Sequence, residues 1–123
     1  MTRFAVIAQP LVGIVGLAMV VLGILFWTGH ALTLVPVHLL LGLLLVLLLW
    51  ALALLGAATG ANPIQVGVTG LWGLLMPIFG LTQDALLVGA VHVVIQVLHL
   101  LVGLTAIALA QRLARQIRRR TSG

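Results

Sequence analysis

The sequence predicts an all-α integral membrane protein, a four-helix up-down-up-down bundle built from a duplicated two-helix hairpin. Three observations predict it: a near absence of charge, apolar runs of spanning length, and two pairs of short strings that repeat in order. Of 123 residues, 63% are hydrophobic, 6% are charged and one is acidic. A water-soluble domain carries roughly 25% charged residues, so this chain has too little polar surface to face water. Its apolar runs reach about 20 residues, the length that crosses a hydrocarbon core.

Chain breakers divide residues 1–123 into four helices of a single transmembrane domain. The first covers about 11–27, with Phe4 as its earliest start and Pro10 in its first turns. Arg3 ahead of an apolar stretch resembles a signal peptide. That stretch runs on to Trp27, too far for a signal h-region, and no A-x-A-like cleavage site is evident, so it reads as a span. "TGHALT" makes a short turn. The second helix covers about 34–55 and tolerates Pro36 in its first turn. "GAATGANP" is a loop, and Pro63 opens the third helix, about 63–79. "GLTQD" follows, with Asp84 placed to cap a fourth helix over about 85–110. A basic tail covers 111–123.

The net charge of +5 is unevenly placed. Arg112, Arg115, Arg118, Arg119 and Arg120 follow the last apolar segment, and Arg3 stands at the other terminus. This is a topology signal with affinity for anionic headgroups rather than a nucleic-acid surface. The expected location is a prokaryotic plasma membrane with both termini cytoplasmic. Cysteine is absent, which excludes disulfides, thiolate metal sites, c-type haem attachment and iron–sulfur clusters. Trp27 fits an interfacial belt, Trp50 less clearly, and Trp72 sits too deep for one.

The repeat carries the functional reading. "VGIVGL" at 12–17 echoes "VGVTGL" at 66–71, and "HLLLGL" at 38–43 echoes "HLLVGL" at 99–104. A hairpin used twice, with seven extra residues in the second copy, explains both echoes in order. Two spans per unit make the repeat parallel, about an axis along the membrane normal. Symmetry then sets His38 and His99 at equal depth, facing each other across the core.

Three readings of that pair stand open. An ionisable group inside a span is costly and commonly functional. In a b-type haem site, two histidines from facing helices hold opposite faces of the iron. Gly42 and Gly103 lie four residues after each histidine and share its helix face, leaving room for a flat porphyrin. Close helix packing explains such glycines equally well. A transition-metal site is the second reading. His92 lies two turns before His99 and His30 eight residues before His38, which forms an outer layer about 10–12 Å away. No compact ligand spacing results and carboxylates are missing, so His30 and His92 fit better as partners of haem propionates. The third reading is structural: histidines bonded across helices or to backbone carbonyls. It is the leading one for His92 and His30 taken singly. Gln96 reads as an interhelical hydrogen-bonding residue and Gln65 as a partner for exposed backbone.

These residues resemble one four-helix half of the haem A synthase family. Each half of that family carries haem-ligand histidines on its second and fourth helices, separated by about the interval between His38 and His99. Residues 70–111 are similar to the third and fourth helices of such a half. The family's catalytic half has an acidic residue about one turn before the second-helix histidine, where Leu34 and Val35 stand here. Its outer-loop cysteine pair is also missing. The resemblance implies haem binding without synthase activity.

The expectation is therefore a membrane b-type cytochrome with His38 and His99 as axial ligands, working in electron transfer with a redox partner or larger membrane complex. A homo-oligomer is compatible with it. A cofactor-free structural or assembly subunit, and a haem-binding enzyme or haem carrier, are the alternatives.

Overall fold

The computed structural model describes residues 2–86 and 89–122. Its helices are α1 (Thr2–Trp27), α2 (Val35–Ala58), α3 (Pro63–Thr82) and α4 (His92–Ser122), with 3₁₀ turns at Leu32–Leu34 and Gln83–Ala85. Among the described residues there is no strand. The four apolar spans are 25, 27, 23 and 30 residues long. At 1.5 Å per residue each reaches about 35–45 Å, enough for a hydrocarbon core of about 30 Å. All four are long and apolar enough to cross a membrane.

Two helix starts differ from the sequence expectation, and α2 and α3 each run about three residues further than expected. α1 starts at Thr2 rather than near residue 11, and passes through Pro10 without a break. Pro10 lies on an exposed face, where its missing N–H removes one rung of the ladder and meets no neighbouring helix. At the other boundary, Asp84 does not cap the fourth helix. It sits in the 3₁₀ turn, and α4 begins only at His92, after Gly89 at φ 101. That left-handed backbone is open to glycine and breaks a helix, whereas hydropathy reads straight through it. Leu87 and Val88, inside the expected span, lie outside the described residues. At its far end α4 carries the basic tail as continuous helix to Ser122.

The other starts follow local chemistry. Asn62 caps α3, its Oδ1 accepting from Ile64 N at 2.9 Å and Gln65 N at 3.2 Å, with Pro63 at the first position. Gln65 is thus served by Asn62 rather than acting as the cap itself. α2 has Pro36 in its first turn.

Packing is uneven along the bundle. The buried core joins Ala5, Ala8 and Val12 of α1, Leu45, Leu49 and Leu52 of α2, and Ala106, Ala110, Leu113, Ala114 and Ile117 of α4. Alanines let α1 and α4 approach closely, as small residues do between membrane helices. Gln111 Nε2 donates to Gln9 O at 2.9 Å, Gln116 Oε1 accepts from Asn62 N at 3.0 Å, and Arg120 Nε donates to Thr59 O at 3.2 Å. These bonds tie all four helices at one end. Toward the other end no residue of α1 beyond Gly16 is buried, nor any of α2 before Leu45.

The outer faces are apolar, with Leu54 at 74% and Ile64 at 75% exposure. Monomeric soluble proteins rarely expose apolar surface on this scale. Two tryptophans, Trp72 half-buried and Trp50 exposed, bridge neighbouring helices. Trp50 Nε1 donates to Gly70 O at 3.1 Å, and Trp72 Nε1 donates to Val102 O at 2.9 Å. Trp72 is therefore an interhelical anchor, in keeping with its depth. A Cβ at Gly73 would lie 2.5 Å from Trp50 Nε1, so the indole packs there only because α3 has no side chain.

That contact gives a stability prediction. Gly73→Ala should cost about 1–3 kcal/mol through overpacking, read as a lower midpoint for thermal loss of helical circular dichroism in detergent. In a Trp50→Ala background the same change should cost less, because the ring that the new Cβ meets is gone.

Candidate histidine cavity

Where the helices splay, they flank a half-open cavity of about 450 Å³ lined by residues of all four. Cofactor sites commonly run about 300–1,000 Å³. His38 enters it from α2 and His99 from α4. The two ring centroids are 6.3 Å apart, with their planes at 51°. Each Nδ1 is buried and makes no hydrogen bond. A buried imidazole nitrogen without a partner is unfavourable by roughly 1–3 kcal/mol, so two of them side by side mark this point of the bundle.

The preceding helix shapes each ring's bed. Phe26 of α1 meets His38 edge-on with centroids 5.4 Å apart, and Phe79 of α3 stacks on His99 at 5.9 Å and 21°. A Cβ at Gly23 would lie 3.9 Å from His38 Cε1, and one at Gly80 would lie 3.5 Å from His99 Cε1. Each imidazole thus rests on a glycine and a phenylalanine one helix back in the chain. The sequence reading missed these four residues. The two glycines alone carry a signal, a further echo of "MVVLG" at 19–23 in "MPIFG" at 76–80, whose methionines also line the cavity.

The two glycines singled out beside the histidines have different surroundings. At Gly103 a Cβ would meet nothing within 4 Å, and the residue lines the cavity. At Gly42 a Cβ would lie 3.2 Å from Met19 Cε, so a methionine fills the space expected there. A planar ligand between the histidines would lie against Gly103, and would need Met19 to turn aside to reach Gly42. Methionine's unbranched, flexible chain makes that movement easy.

The outer histidines also part company. His92 opens α4, lines the cavity, and its Nδ1 is 3.1 Å from Leu86 O. His30 sits in the α1–α2 turn with Nδ1 3.0 Å from Thr28 Oγ1, and is not among the cavity-lining residues. Gln96 and Asp84 line the cavity as well. Among the described residues, no group of three or more histidine, cysteine, aspartate or glutamate side chains gathers into a metal site. No protein-family model, curated protein or solved structure matches this chain.

The open space at Gly103 gives a second prediction. Gly103→Leu should leave the thermal midpoint of the unliganded bundle unchanged and block uptake in an absorbance titration with haemin. Gly67→Leu, at an exposed site with equally free space, should do neither. Undiminished uptake in Gly103→Leu would remove this wall of the cavity from any haem site.

Proposed function

We propose that this chain is a membrane-embedded b-type cytochrome whose His38 and His99 hold haem as axial ligands, working in one-electron transfer. The observation that carries the reading is the facing pair of imidazoles at 6.3 Å. Two metal–imidazole bonds of about 2 Å, plus about 1 Å from each nitrogen to its ring centre, set centroids about 6 Å apart across one metal. Two imidazoles supply two ligands only. A metal held by them needs its remaining ligands from the bound group itself, as a porphyrin provides. The buried Nδ1 atoms, the open wall at Gly103 and the cavity's size all suit such a group.

Bound there, haem supplies reversible one-electron chemistry at its iron. The chain's own residues fix and shield it. Phe26 and Phe79 pack against the imidazoles, Gly23 and Gly80 lie beside the rings at ordinary contact distance, and the remaining walls are mainly apolar. A low-dielectric surround of this kind is one lever on reduction potential. His92, which lines the same cavity, is the residue this reading assigns to a propionate.

The same reading takes the bundle as up-down-up-down, with duplicated hairpins and with both termini on the cytoplasmic face. The paired echoes support the duplication. The arginines at both ends of the chain support the orientation. The likeness to one half of haem A synthase belongs to this proposal and extends to haem binding alone.

Met19 and Met76 favour a second reading, a soft metal ion taken by imidazole and thioether together. One experiment separates the two. The protein is expressed with haem supply, and a reduced-minus-oxidised spectrum is recorded with haem and metal quantified per chain. Haem ligation predicts a sharp low-spin b-type signal that His38→Ala and His99→Ala each abolish. Its absence, or its survival in His99→Ala, would sink the haem reading. Stoichiometric metal without haem would favour the second.

A further inference from the structure

At the opposite end of the bundle an open groove of about 410 Å³ is lined by Arg112, Arg115, Gln116, Arg119 and Arg120 of α4, its four arginines exposed, with Gln65 of α3. The spacing explains how one helix builds it. Ala110, Leu113, Ala114 and Ile117 turn one face of α4 into the core at 0% exposure. Residues 112, 115, 116, 119 and 120 share the opposite face, at intervals of three and four.

The lining is rich in donors. Guanidinium groups donate and cannot accept, and no carboxylate stands among the lining residues. The chain's one acid, Asp84, lines the histidine cavity instead. Two lining residues are already held in place. Arg120 donates through Nε to Thr59 O, and a Cβ at Gly60, φ 76, would lie 3.2 Å from its Nη2. Gln116 Oε1 accepts from Asn62 N, which leaves its amide N–H groups free. Among the described residues, Arg112, Arg115 and Arg119 form no salt bridge or side-chain hydrogen bond. α3 begins at Pro63, beside Gln65, and adds the positive end of its dipole.

We propose that this groove is a discrete binding site for a phosphate group. Several guanidinium groups converging without a counter-ion suit an anion with three or more acceptor oxygens. Its level in the bundle points to the source. The α4 residues from 92 to 111 cover about 30 Å, which sets Arg112 onward at the depth of lipid headgroups. Basic pockets between spanning helices take anionic headgroups in this way. The lipid source rests on the membrane-spanning reading. The phosphate chemistry does not, and neither depends on haem.

The test uses the full chain in phosphatidylcholine nanodiscs. Short-chain phosphatidic acid is titrated in and counted by native mass spectrometry, and inorganic phosphate is added as competitor. One phosphatidic acid per chain is expected. Arg115→Gln and Arg119→Gln should each weaken it about fivefold, the upper scale of one solvent-exposed ion pair. Arg118→Gln is the charge-matched control, since Arg118 turns away to donate to Gln9 Oε1; it should change binding less than twofold. Displacement by inorganic phosphate at equal concentration would assign the free anion, and retention of the lipid would assign the headgroup. An Arg118→Gln loss as large as that of Arg115→Gln would reduce the effect to general surface charge and overturn the site. Failure to bind either probe would overturn it as well.

Discussion

The close approach of α1 to α4 is the constraint on which the rest of the molecule depends. Ala5 and Ala8 on one helix and Ala106, Ala110 and Ala114 on the other are fully or almost fully buried. Only small side chains allow two helix backbones so near each other in an apolar medium, where dispersion contacts and polar bonds replace hydrophobic driving force. Gln111 reaches across the seam to the Gln9 carbonyl beside Gly13, where a Cβ would lie 3.5 Å from its amide. Drawn together at that end, the helices separate toward the other, and the separation is the histidine cavity.

The polar groups of the bundle sort by this taper. At the tight end they are satisfied: Gln111, Gln116 and Arg120 bond across helices, and Thr69, fully buried, donates within its own helix to Gln65 O at 2.8 Å. At the wide end two imidazoles keep a buried nitrogen each without a partner. A bundle able to satisfy nearly every buried polar atom with nearby carbonyls leaves this one pair orphaned. The contrast sets His38 and His99 apart from His30 and His92, whose rings find Thr28 and Leu86.

Much of the candidate site was legible because histidine is rare here. Four histidines in 123 residues, two in matching strings, single out a pair against a background of Leu and Val. The beds of those rings were not legible. Gly23 and Gly80 are two glycines among 14, set apart only by the two-residue echo of 19–23 in 76–80, which does not tell that they will face an imidazole. The same ambiguity affected Gly42 and Gly103, alike in sequence, one packed by Met19 and one open. The α4 start was hidden for a different reason. A glycine at positive φ ends a helix without lowering hydropathy, so an apolar run concealed a change of direction before His92.

By itself the sequence determined the apolar character of the chain, the number and approximate extent of its helices, the basic face of the last one and the pairing of two histidines. These are properties of composition and local periodicity, which act within a few helical turns. Only the tertiary structure decided which end of the bundle closes, that the histidine rings come within 6.3 Å, which glycine leaves space beside them, and that the arginines line a groove. Those outcomes depend on side-chain volumes meeting across helices far apart in the chain. A difference of one methyl group there decides contact or void, and no local pattern encodes it.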